Sequence, residues 1–109
     1  MLMLKENATV TIAHSRTKNL EDLTKTADVV ISAIGKARFI NISHCSQTKD
    51  QVFIDVGINL DSEGKLCGDI DYEAIVDNCN AITPVPGGVG PLTVLTLIKN
   101  LFQACENKL

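Results

Sequence analysis

Tryptophan is absent, tyrosine occurs once and phenylalanine three times. The chain therefore has no aromatic platform on which bases would stack. No basic run is present and the net charge is −3, which argues against nucleic acid or an anionic membrane as the main partner. No apolar stretch approaches the ~20 residues that span a bilayer. Met1–Leu4 is too short for the apolar region of a signal peptide, and no cleavage pattern follows it. The four cysteines, Cys45, Cys67, Cys79 and Cys105, include no C-x-x-C pair, and the only histidines are His14 and His44. Zinc-ligand spacing is thus missing, no metal is expected, and the thiols read as reduced groups in a cytosolic fold.

What remains is a soluble composition, 45% hydrophobic and 21% charged over 109 residues, with room for one modest domain. Apolar runs alternate with amphipathic ones. Val10–Ala13, Val29–Ile34, Val52–Val56 and Ala81–Thr83 read as strands; Val29–Ile34 has the near-continuous apolar character of a strand covered on both faces. Leu66–Ile70 reads as a short extended segment. Thr17 is placed to cap a helix through Thr26, with Leu20, Leu23 and Ala27 on one face. A weaker helical turn is expected over Ile42–Thr48, and a helix capped by Asp71 through Asp77, with Glu73 favourable in its first turn. The last helix is expected to start at Pro91, since a first-turn proline loses no intrahelical bond. Its stripe of Leu92, Leu95, Ile98, Phe102 and Cys105, widened by Leu97 and Leu101, predicts packing on more than one surface. Strands separated by helical segments of about ten residues imply a parallel α/β sheet with right-handed crossovers.

Ligands of such sheets bind beyond the carboxyl ends of the strands. Three segments fall there. In His14-Ser15-Arg16-Thr17, a hydroxyl and a guanidinium stand where a carboxylate often binds ribose hydroxyls, and they suit a 2′-phosphate; on this segment alone a capping loop with a solvated arginine is the simpler reading, since short Ser/Arg/Thr loops are common. Asp55-Val56-Gly57-Ile58-Asn59 ends a buried strand. Asp55 is expected to accept loop N–H bonds, while Gly57 and Ile58 can present main chain to a ring. Pro84-Val85-Pro86-Gly87-Gly88-Val89-Gly90-Pro91 is the most specific. It holds three glycines and all three prolines in eight residues and opens onto a helix whose free N–H groups suit an anion or ring. A rigid turn is the simpler alternative. Val85–Pro86 is a candidate cis bond. His44 reads as a surface histidine without a partner, His14 as a loop anchor, and Asp69 and Asp71 as turn and cap residues.

In this order and spacing, Val10–Thr17, Asp55–Asn59, Gly68-Asp69-Ile70-Asp71 and Ile82–Thr93 resemble the bifunctional methylenetetrahydrofolate dehydrogenase/methenyltetrahydrofolate cyclohydrolase family over nearly the whole chain. The resemblance implies a Rossmann-like α/β domain over residues 1–109, a parallel sheet flanked by helices. It implies NADP as cofactor, a tetrahydrofolate substrate, one-carbon metabolism feeding purine biosynthesis, a cytoplasmic location and a homodimer. It places Ser15 and Arg16 at the 2′-phosphate, Ile58 and Thr93 at the cofactor, and Pro86, Gly87, Gly88, Val89 and Gly90 beside folate and nicotinamide. The family's first strand with its glycine-rich phosphate loop, and its Tyr-x-x-x-Lys catalytic domain, have no counterpart in the 109 residues. Four residues after Tyr72 stands Val76, so no catalytic residue carries over and the chain alone is expected to be inactive. Without that first strand, two apolar strands lose ladder partners. The chain is then expected to be stable only if another segment or copy fills the gap, or if its strands rearrange. The alternative function is a non-enzymatic dimerisation module that keeps the fold.

Overall fold

The computed structural model describes residues 1–108. Its centre is a parallel three-stranded sheet in the order β1 (Val29–Ser32), β2 (Val52–Asp55), β5 (Ala81–Ile82). Val29 pairs with Val52 and Ser32 with Asp55, while Val52 also faces Ala81 and Phe53 faces Ile82. A small antiparallel pair, β3 (Asn59–Leu60) and β4 (Leu66–Cys67), follows the second strand, and Ile40 bridges Ile70 in parallel. The helices are α1 (Leu2–Lys5), α2 (Leu20–Lys25), α3 (Tyr72–Ile75) and α4 (Val89–Lys108), with 3-10 turns at Ile42–His44 and Val76–Asn78. This is the expected α/β architecture, a parallel sheet flanked by helices.

One compact cluster holds it together: Val30, Ile40, Cys45, Phe53, Ile70 and Ile75, with Ala27, Cys79 and Ile82 against it. Phe53 and Ile75 are wholly buried. Polar groups close the edges. Gln51 is buried; its amide donates to the carbonyls of Thr24 (2.6 Å) and Ala27 (2.7 Å), tying the end of α2 to the start of β2. Among the described residues no buried side-chain nitrogen or oxygen lacks a partner.

Several local expectations are corrected. Val10–Ala13 joins no ladder, and Ile12 is 87% exposed. A strand forms only where a neighbour accepts its backbone groups, and β1 is the edge of the sheet within the described residues. β1 is not covered on both faces: Val30 and Ser32 are buried while Val29 and Ile31 are open. Among the described residues the outer edge of β1 has no strand partner, and segment 10–13 lies outside the ladders. Thr17 does not cap α2. Its hydroxyl accepts the His14 N–H at 2.8 Å, and the helix starts after Asn19, which adopts φ 56°. Asp71 makes no capping bond, and α3 gives way to a 3-10 turn at Val76. The last helix starts at Val89, two residues before Pro91; the proline is still within the first turn, where N–H groups have no intrahelical acceptor. No residue of α4 is buried, so the packing of its apolar stripe on more than one surface is not found among the described residues.

Candidate functional site

β2 and β5 run parallel, so their carboxyl ends meet on one side of the sheet. Beyond them, Asp55–Ile58 and the Pro84–Pro91 bend enclose an open cleft of about 260 Å³, with Leu66 and Thr93 completing its wall. The cleft brings together Ile58, Pro86, Gly87, Gly88, Val89, Gly90 and Thr93. Ser15 and Arg16 do not line it; they are exposed on a separate turn, where the Arg16 N–H donates to His14 Nδ1 at 3.1 Å. His14 is thus the loop anchor expected of it. Nothing local in the sequence marks Leu66 as a wall residue, because only the β3–β4 hairpin carries it back over the strand end.

The bend is built by its own residues. Val85–Pro86 is cis. Gly87 has φ +94°, a region that residues with a Cβ avoid. A Cβ on Gly88 would meet the Pro84 carbonyl oxygen. Gly90 differs: nothing lies within 4 Å of where its Cβ would stand, yet it occupies the first turn of α4. The fold thus explains two of the three glycines and leaves Gly90 facing open space. Thr93 donates its hydroxyl to the Val89 carbonyl at 3.2 Å, inside the helix.

The strand-end wall rests on two buried carboxylates. Asp55 accepts the N–H groups of Gly57 (3.0 Å), Asp69 (3.1 Å) and Ile70 (2.9 Å), the role expected of it; its own N–H donates to Thr83 Oγ1 at 2.8 Å. Asp69 accepts the N–H groups of Ile34, Gly35 (3.1 Å) and Lys36 (3.1 Å), the Asn59 amide (2.8 Å) and the Ser32 hydroxyl (3.3 Å). Each carboxylate fills the space a glycine leaves: a Cβ on Gly57 would overlap Asp69, and one on Gly68 would overlap Asp55. Asp69 is therefore a buried hub joining three loops, more than the local turn residue its sequence context predicts. His44 is also corrected. It is 5% exposed, and with Asn41 it forms a reciprocal cap, the His44 ring accepting the Asn41 N–H at 3.3 Å. An Asn–x–x–His spacing was the only local hint.

Burial alone would raise the Asp69 pKa. The hydrogen bonds from Asn59, Ile34, Gly35 and Lys36 outweigh it and hold the carboxyl below the usual carboxylate range. A depressed native pKa adds stability above the unfolded-state value of about 3.9, and that stability is lost as pH falls toward the native value. The urea midpoint is expected to stay level from neutral pH to about 5 and to fall below about 4; an Asp69→Asn chain should lose that part of the acid slope. Burial pushes the thiols of Cys45 and Cys79 up, with Cys79 adding to the first and Asp77 to the second. Both stay protonated and poorly nucleophilic at neutral pH. Among the described residues, no three His, Cys, Asp or Glu side chains gather as metal ligands, and no helix is long and apolar enough to cross a membrane.

Residues 1–109 match the family described as tetrahydrofolate dehydrogenase/cyclohydrolase, NAD(P)-binding domain. The chain is 52% identical over 108 residues to bifunctional protein FolD 1 of Desulfitobacterium hafniense, covering 99% of this chain and 38% of that protein. The FolD dehydrogenase/cyclohydrolase crystal structure from Campylobacter jejuni superposes with a TM-score of 0.93 at 37% identity, over 99% of this chain and 38% of the other. The Trypanosoma brucei FolD structure, complexed with NADP cofactor and inhibitor, gives 0.85 at 34% identity, over 98% and 38%. The chain spans well under half the length of these relatives. It belongs to the tetrahydrofolate dehydrogenase/cyclohydrolase family, whose NAD(P)-binding domain it matches along its whole length.

Proposed function

We propose that the 109 residues form the cofactor-side wall of an NADP-dependent methylenetetrahydrofolate dehydrogenase/methenyltetrahydrofolate cyclohydrolase. In that reaction NADP accepts a hydride from the methylene carbon of 5,10-methylenetetrahydrofolate, leaving the methenyl cation. Water adds to that cation and, with loss of a proton and opening of one C–N bond, gives 10-formyltetrahydrofolate. In this reading the exposed Ser15 and Arg16 hold the 2′-phosphate. The main chain at Ile58 and the first turn of α4 at Thr93 hold the nicotinamide end. Pro86–Gly90 border the meeting point of nicotinamide and folate. The role of these residues is to bind, orient and exclude water; the proton-moving lysine of the family has no counterpart among them, so the chain by itself is expected to turn over nothing. Cytoplasmic one-carbon metabolism, a supply of formyl groups to purine biosynthesis, and a homodimer belong to the same proposal.

The observation that carries the reading is Gly90, a glycine at a helix start that the fold does not require, facing the cleft. Its absent side chain leaves room for a ligand against bare backbone. Gly90→Ala is therefore expected to act in opposite directions on two properties. The urea midpoint should rise, by up to about 1 kcal/mol of helix propensity, while NADP affinity falls about tenfold, a loss of about 1.4 kcal/mol. Unchanged NADP affinity would place the ligand elsewhere. The exposed apolar surface of α4 supports a second reading, a dimerisation module without cofactor. That reading predicts concentration-dependent association and no NADP binding.

A further inference from the structure

We propose that Asp69 is a positioning residue for the nicotinamide end of the cofactor, a reading that rests on the cofactor role argued above. Asp69 does not line the cleft itself but packs behind its strand-end wall, at Asp55 and Gly57. It lies under Gly57, where a side chain on that residue would stand, and its Oδ1 takes the Asn59 amide at 2.8 Å. These two contacts flank Ile58, whose side chain is 69% exposed at the cleft. The same carboxylate gathers the N–H groups of Ile34, Gly35 and Lys36, the loop that leaves β1 on the ligand side of the sheet. One buried, acceptor-only group thus fixes the heights of two adjacent strand-end loops relative to each other. Every group aimed at it is a donor: three backbone N–H groups, an amide and the Ser32 hydroxyl.

An acceptor-only site is chemically selective. An ionised carboxylate offers about four lone-pair directions, whereas an asparagine amide of the same shape turns two donors toward donors. Asp69→Asn should therefore release the loops while leaving the Phe53 core filled. The nicotinamide end depends on the main chain at Ile58, and the adenosine end depends on the separate Ser15–Arg16 turn. A displaced strand-end loop should weaken the first and spare the second. A role confined to stability would lower the melting temperature and leave both ends of the folded protein alike.

The test compares two probes, NADP and adenosine 2′,5′-bisphosphate, by isothermal titration on the unmodified chain, Asp69→Asn and Asn59→Ala. Asn59→Ala removes one bond at a half-buried position and keeps the comparison available should Asp69→Asn fail to fold. The expected result is NADP affinity lower by about tenfold in Asp69→Asn and severalfold in Asn59→Ala, with the bisphosphate within about twofold in both. Equal losses for the two probes, or no loss in variants that remain folded, would overturn the positioning role. If the unmodified chain binds no NADP, the cofactor reading itself fails and this proposal with it.

Discussion

Gly68→Ala is expected to destabilise the chain by more than about 3 kcal/mol. The new methyl would stand on the Asp55 carboxyl, a side chain only 3% exposed. That carboxylate cannot move aside cheaply, because the N–H groups of Gly57, Asp69 and Ile70 all converge on it. Overpacking a filled interior costs about 1–3 kcal/mol, and each buried donor left without an acceptor adds about 1–3 kcal/mol. Small domains have only about 5–15 kcal/mol in total, and this one has a core of six mutually packed residues. Urea unfolding should show the midpoint falling sharply. A midpoint within the scatter of the unmodified chain would mean that the two carboxylates and the two glycines are not interlocked. Gly90→Ala is the control, since the same chemical change there meets open space and should stabilise.

Charging the outer face of α4 should have the second large effect. Leu92, Val94, Leu95, Leu97, Ile98, Leu101 and Phe102 are each between 47% and 69% exposed. A continuous apolar surface of this kind marks an interaction face in a soluble protein. The unmodified chain is expected to associate with a second copy as its concentration rises. Leu97 and Leu101 lie one turn apart on a common face. The double substitution Leu97→Glu with Leu101→Glu should weaken association at least about a hundredfold, the loss of two central apolar anchors. Sedimentation velocity across a concentration series reads this directly. An unmodified chain that stays monomeric over the whole series would remove α4 as a contact between copies.

What could be read from the residues follows from how local each signal is. The Pro84–Pro91 bend was legible because its conformation is set by its own prolines and glycines: a cis Val85–Pro86, a positive φ at Gly87 and a crowded Gly88. Val52–Asp55 was legible because its side chains are sheltered wherever it pairs. Val10–Ala13 has the same β-branched character yet forms no strand, since a ladder is a property of two segments and this one finds no neighbour. His44 reads as a surface residue because the polar loop around it does not announce its burial, 5% exposed beside the Phe39 ring. Asp69 was the least legible. Its nearest neighbours say turn, whereas its hydrogen-bond partners lie ten residues away at Asn59 and more than thirty away at Ile34–Lys36. The Pro84–Pro91 motif survives this because its backbone conformation is set locally. The core and its polar ties are non-local.

On the proposed function, the cleft between the end of β2 and the Gly–Pro bend receives the cofactor's ring against main chain. Backbone amide shifts recorded while NADP is titrated into the chain test it residue by residue. The largest changes are expected at Gly57, Ile58, Gly88 and Gly90, with a second group at Ser15 and Arg16. Saturable shifts confined to surfaces away from the strand ends, or no shifts at concentrations that saturate full-length relatives, would contradict it.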